Sequence, residues 1–325
     1  MADPIKKGVD LHIHTKASDG KLTPAELVAY AEKCNLGVIA VTDHNTYSPE
    51  VEALKASSSV TIITGCEFNA HFRFRTGRSK LIHIKGLFFD YLHPEIQAIF
   101  QRERECKRNF VKALISRLNG TECIPLAHLS GNPEGVSSET PGRIHITYEE
   151  FEQLFPDTVS PGRVHVGELM RRKGYVSNVY EALDIYFGEL GEKRCYVNPM
   201  DYTASISMED CIRAIRNAKG MADLAHPYFY QLTESELHEL LFAFKQYAGD
   251  TGCMEVYYKD YSRKQEEELF SLAEEYGLLP SCGSDYHGFD PKEALISYPW
   301  SIYKNIAQRY KEVYTSERSV PSEGA

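Results

Sequence analysis

Six short apolar runs in this chain end on, or enclose, a histidine or a carboxylate, and no other feature of the sequence constrains the fold as much. The segment from Gly8 to His14 alternates as a buried strand does, then breaks into a polar turn over residues 15–20. Residues 38–42 lead into Asp43-His44, residues 60–64 into Gly65-Cys66-Glu67, residues 221–225 into His226, and residues 279–282 into Gly283-Ser284-Asp285-Tyr286-His287. Residues 81–89 form a further run with His83 inside it. Runs of this length, rich in Val and Ile, read as strands buried on both faces. Helical patterns lie between them. Thr23-Pro24 with Glu26 is an N-cap with proline at the first helical position, followed by the apolar repeat Leu27, Ala31 and Leu36. Residues 208–218, 234–247 and 263–276 continue the alternation around a strand at 253–257. Strands alternating with helices predict a parallel sheet or barrel, in which polar residues at the carboxyl ends of the strands gather at one mouth.

The pattern is interrupted from about residue 94. Residues 97–118 read as one long charged amphipathic helix. Residues 119–161 are rich in Gly, Pro, Ser and Glu, with a short helical piece at 148–154, and residues 163–172 and 179–188 read as helices. A chain of 325 residues exceeds the usual size of one compact domain. We therefore expect residues 1–93 and 204–325 to form an α/β catalytic barrel, residues 94–203 an inserted, mainly helical cap, and residues 316–325 a frayed end. The net charge of -10 argues against duplex nucleic acid as a partner, because a basic surface supplies most affinity for the phosphate backbone. The eight cysteines are scattered, with no CxxC pair, and read as reduced thiols. The first residues lack an apolar signal segment, and no run approaches the roughly 20 apolar residues of a membrane span. The expectation is a cytoplasmic protein with no membrane partner.

His12 and His14, two residues apart on a strand, point to one side and can reach one metal. Taken singly, His83 and His226 read as hydrogen-bonded core histidines, since each is embedded in apolar sequence. The repeated strand-end placement reverses that reading. His12, His14, His44, His83, His226 and His287, with Glu67, Asp285 and Asp19 of the first loop, make six imidazoles and three carboxylates that a barrel would bring together. This mix suits Mn, Zn or Fe(II) better than Ca or a lone Mg, and it exceeds the four ligands of a single zinc. Two or three divalent metals are expected, about 3.5–4 Å apart, with Glu67 between them and a bridging hydroxide that attacks phosphorus in line. Glu67, Asp285 and His287 are the candidate catalytic residues. Asp43, beside His44, is placed to orient that imidazole. Arg163 and His165 are candidate substrate-binding residues, Arg163 by forking onto a second phosphate, with Arg143 and Lys85 as weaker versions of the same idea. Tyr228-Phe229-Tyr230 and Tyr257-Tyr258 offer rings for base stacking, although core packing is the expected use. His71, His93, His128, His145 and His238 show no partner pattern.

The stretches Asp10-Leu11-His12-Ile13-His14-Thr15 with Ser18-Asp19-Gly20, Ile39 to His44, Gly65-Cys66-Glu67, Ile82-His83-Ile84-Lys85-Gly86-Leu87, Leu224-Ala225-His226-Pro227 and Gly283 to His287 resemble the successive motifs of the polymerase and histidinol phosphatase (PHP) superfamily of phosphoesterases. They occur in order, with every ligand position filled. The resemblance implies a distorted seven-stranded (β/α)7 barrel with a two- or three-metal site, commonly manganese. The Ile82 to Leu87 motif, the inserted helical region and Arg163-Val164-His165 are similar to the branch of nucleoside 3′,5′-bisphosphate phosphatases and RNase AM-like 5′-exoribonucleases. That branch implies a small phosphorylated substrate, a nucleoside bisphosphate or a short 5′-phosphorylated single-stranded RNA. A histidinol-phosphate-type phosphatase and a non-catalytic metal-binding PHP module are the rival readings. Lost ligands would mark the second, and none is lost.

Overall fold

The computed structural model describes residues 8–122, 142–156, 160–188, 195–204, 206–288 and 292–315. His128, most of the Gly- and Pro-rich stretch and the end expected to fray, residues 316–325, lie outside the described residues. The chain divides into two compact units, Met1–Phe100 with Ser205–Ala325, and Gln101–Ala204.

The first unit is built on seven strands in sequential order: β1 (Gly8–Ile13), β2 (Leu36–Val41), β3 (Thr61–Arg73), β4 (Ser79–Leu87), β5 (Met221–Leu224), β6 (Cys253–Tyr258) and β7 (Leu279–Gly283). Hydrogen bonds from Asp285 N to His12 O (2.8 Å) and from His14 N to Tyr286 O (3.0 Å) join the last strand end to the first, so the sheet nearly closes into a barrel. Helices α1 (Pro24–Lys33) and α2 (Pro49–Lys55) make the first crossovers. Thr23 caps α1 reciprocally with Glu26, and Pro24 supplies the preset φ of the first turn.

One strand departs from the parallel pattern expected. β3 and β4 are joined by a tight turn instead of a helix, with Phe74 N donating to Arg78 O (2.8 Å), and β4 runs antiparallel to β3 and β5. Gly77, at φ 86°, supplies the left-handed residue the turn needs. The reversal decides where β4 sends its side chains. Alternate residues share a face, so Leu87, Lys85 and His83 climb inside the barrel in the order opposite to Met221 and Asp223 of β5, or Cys253 and Glu255 of β6.

The interior is therefore layered. At the floor, Val9, Leu11, Val38, Ala40, Ile63, Leu87, Met221, Cys253 and Cys282 form one apolar cluster to which all seven strands contribute, a convergence possible only inside a barrel. Ile302 and Ile306 of α10 (Trp300–Tyr314) close it from below. Above the floor lies an ionic layer of Lys85, Asp223 and Glu255, and at the carboxyl ends of the parallel strands lie the histidines. A larger apolar cluster packs the outer faces of the strands against α1, α7 (Met208–Asn217), α8 (Glu234–Ala248) and α9 (Arg263–Tyr276).

The helix α3 (Pro94–Leu118) contains the division between the units. The second unit adds α4 (Tyr148–Leu154), α5 (Arg163–Arg172) and α6 (Val179–Glu181), the last widening into a π-turn over Ala182–Phe187. It has its own core, in which Val111, Leu114 and Leu118 of α3 meet Ile146, Phe151, Val166, Met170 and Phe187.

Candidate metal centre

Glu67 is the hub. It is almost fully buried near the middle of β3, and five imidazoles stand against its carboxylate: His12 at 3.3 Å, His14 at 3.4 Å, His44 at 3.1 Å, His83 at 3.0 Å and His226 at 3.1 Å. Asp285 receives His12 (3.4 Å), His14 (3.1 Å) and His287 (3.7 Å), and Asp19 receives His14 (3.5 Å), His44 (3.6 Å) and His287 (3.4 Å). The nine residues singled out from the sequence converge on one mouth, although they come from six separate stretches of chain. Their side chains form three overlapping groups able to hold a metal: His14, Asp19, His44 and His287; His12, His14, Glu67 and Asp285; and His44, Glu67 and His83.

Backbone hydrogen bonds set these positions. Glu67 N donates to Thr42 O (3.1 Å) and Asn45 N to Glu67 O (2.9 Å), which puts His44 alongside Glu67. The loop that carries Asp19 is tied down by Asp43, whose carboxylate accepts from Thr15 N (2.8 Å), Thr15 Oγ1 (2.6 Å) and Ser18 Oγ (2.6 Å). Asp43 was expected to orient His44; it holds this loop instead, because its oxygens are committed to Thr15 and Ser18. His226 and Asp285 are non-glycine residues in left-handed backbone conformations, at φ 28° and 49°. Such strain persists where surrounding structure over-determines it, typically at functional sites. Gly283 has no room for a side chain, since a Cβ there would collide with His12 and come within 2.6 Å of Glu255 Oε1.

Several further groups serve this centre without standing at a strand end or carrying a metal role in the sequence pattern. Glu255, fully buried, lies 3.0 Å from His12 Nδ1, accepts from His226 N (2.8 Å) and pairs with Lys85 Nζ (2.6 Å). Lys85 also pairs with Asp223 (3.1 Å). The idea of Lys85 as a phosphate-binding group is therefore corrected: it is fully buried in the ionic layer and faces two carboxylates. A charged residue inside the apolar strands Cys253–Tyr258 and Met221–Leu224 was the available signal for Glu255 and Asp223. Tyr258 donates to Asp285 Oδ2 (2.9 Å), and Lys259 Nζ reaches Asp285 O (2.9 Å) and Glu293 (3.0 Å). Asp10 accepts from Ser284 N (2.9 Å), which pins the end of β7.

Burial opposes charge on His12, His14, Asp19, Glu67 and Asp285, yet their mutual contacts override it. His12 is held up at about 10, against its burial, by Glu67, Glu255 and Asp285. Glu67 lies well below the carboxylate range despite burial, because His83, His12 and His44 surround it; Asp19 and Asp285 are lowered in the same way. His44 falls to about 3, since burial outweighs the pull of Glu67. Carboxylates ionised at all ordinary pH, facing imidazoles, are what a cation site requires. The fit is also visible in nitrogens left over: His12 Nε2, both ring nitrogens of His14, His44 Nδ1 and His226 Nδ1 are buried and make no hydrogen bond. Such groups are costly unless something pairs with them, and a divalent cation among Glu67, Asp285 and Asp19 would do so.

Arg163, His165 and Arg143, considered from sequence as substrate-binding residues, belong to the second unit. Arg163 opens α5 in the second unit; its guanidinium lies over the rings of Phe110 (5.9 Å) and Tyr196 (5.3 Å), and its Nη2 is buried without a hydrogen bond. His165 Nδ1 accepts from Gly162 N (3.3 Å), and the ring meets Phe155 edge-on. Arg143 is exposed. Among the described residues, His71, His93, His145 and His238 belong to no group able to hold a metal.

The chain was compared with known proteins. The PHP domain model matches residues 10–199. A 5′-3′ exoribonuclease of Haemophilus influenzae is 29% identical over 283 residues, which span 86% of this chain and 90% of that protein. A 3′,5′-nucleoside bisphosphate phosphatase of Chromobacterium violaceum is 26% identical over 289 residues, spanning 86% and 87%. A solved structure from Bifidobacterium adolescentis, assigned as a metal-dependent phosphoesterase, superposes with a TM-score of 0.65 at 23% identity, covering 94% of this chain and 98% of that one; at this identity it bears on the fold alone.

Proposed function

Since the chain belongs to the PHP domain family, we propose that it is a metal-dependent phosphoesterase that hydrolyses a phosphomonoester of a nucleoside bisphosphate or of the 5′ end of a short single-stranded RNA. The observation that carries the reading is the crowding of five imidazoles on Glu67, beside buried nitrogens without hydrogen bonds. The residues to hold the cations are His12, His14, Asp19, His44, Glu67, His83, His226, Asp285 and His287, and the three overlapping groups suit two or three ions of Mn, Zn or Fe. When bound, such cations ionise a water and neutralise phosphoryl oxygens.

The remaining chemistry belongs to the chain. Glu67 and Asp285 stay ionised and keep their acceptors turned inward, with Tyr258 fixing one oxygen of Asp285 and Lys259 its carbonyl. Glu255 orients His12 by accepting a hydrogen bond from its Nδ1–H, which turns Nε2 toward Glu67. The curated relatives support the substrate class, since they are named for a 5′-3′ exoribonuclease and a nucleoside bisphosphate phosphatase. In the second unit, Arg163 is the residue equipped for a second phosphate: a planar fork with a buried, unbonded Nη2. His165 belongs to the same proposal through Nε2, because Nδ1 is taken.

The test is the full chain loaded with manganese, assayed against adenosine 3′,5′-bisphosphate, a short 5′-phosphorylated RNA and histidinol phosphate. Phosphate or mononucleotide release from the first two, with little from the third, is expected. Turnover of histidinol phosphate alone would replace the nucleotide reading, and silence on all three in the presence of bound manganese would favour a non-catalytic module.

A further inference from the structure

The turn that follows His226 presents one aromatic ring in a way its neighbours do not explain. Residues Pro227–Tyr230 form a single 3₁₀ turn. It is bounded on both sides by non-glycine residues in left-handed conformations, His226 at φ 28° and Gln231 at φ 51°. Three aromatics stand in a row there, and two are tethered. Tyr230 is buried, its hydroxyl donating to Ala225 O (2.8 Å) and accepting from His83 N (2.8 Å). The Tyr228 backbone N–H donates to the Tyr261 hydroxyl (3.0 Å), and the Tyr228 hydroxyl donates to Glu268 (3.1 Å). Phe229 between them is 68% exposed, although its ring stands 5.3 Å from that of His226, edge to face. Of the large apolar side chains exposed among the described residues, it is the one in ring contact with a histidine of the metal centre.

A strained turn that buries Tyr230, tethers the half-buried Tyr228 by hydrogen bonds and leaves the phenylalanine in water does not use that ring for packing. From this placement we propose that Phe229 is the platform on which a base of the substrate stacks while the adjoining phosphate lies at the metal centre, making Phe229 the residue that distinguishes nucleotides from other phosphomonoesters. This rests on the nucleotide reading given above. A base offers a flat π-face that an exposed phenyl ring accepts whatever the base, so the selection is for the presence of a base rather than its identity. Core packing had been the expected use of this aromatic triplet; it holds for Tyr230 and not for Phe229.

Stacking on a side chain adds binding that is equal in ground and transition states, so its loss appears in KM rather than kcat. The experiment measures both constants for the manganese-loaded full chain, wild type and Phe229→Ala, Phe229→Leu and Phe229→Trp, on adenosine 3′,5′-bisphosphate and on ribose 3,5-bisphosphate, which lacks the base. We expect Phe229→Ala to raise the KM for the nucleotide about 5- to 100-fold, with kcat nearly unchanged and the base-free KM unmoved. Phe229→Leu should stay close to Ala, and Phe229→Trp should restore the wild-type value. Quenching of 2-aminopurine fluorescence on binding of the corresponding 2-aminopurine nucleotide should disappear in Phe229→Ala and return in Phe229→Trp. Equal changes on both substrates, no change on either, or full rescue by Leu would overturn the platform while leaving the nucleotide reading intact. A wild-type chain that turns over neither compound would overturn that reading and the platform with it.

Discussion

Two groups of buried charge occupy successive levels of the same barrel, and they are completed differently. In the lower, Lys85 sits 2.6 Å from Glu255 and 3.1 Å from Asp223, so the chain supplies both signs of charge itself. In the upper, Glu67 and Asp285, with the exposed Asp19 beside them, face six imidazoles, and several of those nitrogens are left without hydrogen bonds. Burying ions is expensive in either place. The lower group offsets that cost by direct ion pairing, whereas the upper group is arranged so that an added cation completes it. Among the described residues the two levels are joined by Glu255, which pairs with Lys85 below and His12 above. The contrast separates what holds this barrel together from what it holds.

The largest expected effect tests the upper group. Asp285→Ala removes a carboxylate that three imidazoles share. Lewis-acid stabilisation of a phosphoryl transition state is worth several kcal/mol, so kcat should fall about a thousandfold or more, with the far-ultraviolet circular dichroism spectrum unchanged. Because a cation that binds only the folded state adds about 2.7 kcal/mol at a hundredfold excess over Kd, manganese should raise the Tm of the wild type and have little effect on the variant. Near-normal turnover by the variant, or a wild-type Tm indifferent to manganese, would break the comparison at its upper level.

The bridge should show both kinds of loss at once. Glu255→Gln leaves Lys85 with one buried partner and frees His12 Nδ1 from its carboxylate. Breaking a buried pair costs about 3–5 kcal/mol, read as a shift in the urea midpoint. Losing the group that orients a metal-binding histidine weakens metal affinity about 10- to 100-fold, read by calorimetric titration with manganese. Lys85→Met should match it in stability but lose less affinity, since Glu255 then still faces His12. If both variants lost stability and neither lost affinity, the lower level would be structural only.

These levels were unequally legible in the sequence. Apart from Asp19, which lies in the polar first loop, each upper-level residue ends or punctuates an apolar run, and a run ending in His, Asp or Glu is a pattern that one chain displays without its partners. His83 was found this way, yet for an incomplete reason: β4 is antiparallel, and His83 reaches the mouth because the strand enters there rather than leaves. The turn at Gly77 held that information. Lys85, Asp223 and Glu255 were legible only as isolated charges within strands, because their meaning lies in meeting across three strands, a tertiary fact. Asp43 shows the opposite failure: adjacency in sequence suggested His44 as its partner, and the folded loop gave it Thr15 and Ser18. A parallel sheet or barrel followed from alternation of strands and helices, since that pattern is local, whereas the count of seven strands came from the resemblance of the motifs to the PHP superfamily.

The smallest expected effect supplies the control that gives the others their meaning. Thr233, exposed at the start of α8, accepts from Glu236 N (3.3 Å), while Glu236 returns to Thr233 N (3.0 Å). This capping box satisfies two N–H groups that the first turn of any helix leaves open. Thr233→Ala should cost about 1 kcal/mol, because one N–H reverts to water while α8 keeps its packing through Leu237, Leu240 and Leu241. The same helix follows the turn that carries His226, so the variant lies close to the centre in sequence but makes none of its contacts. Manganese affinity and kcat should therefore match the wild type even as the urea midpoint falls. Were this modest loss of stability also to weaken manganese binding, the affinity change in Glu255→Gln would reflect general loosening of the barrel, and the assignment of Glu255 as an orienting group for His12 would fail.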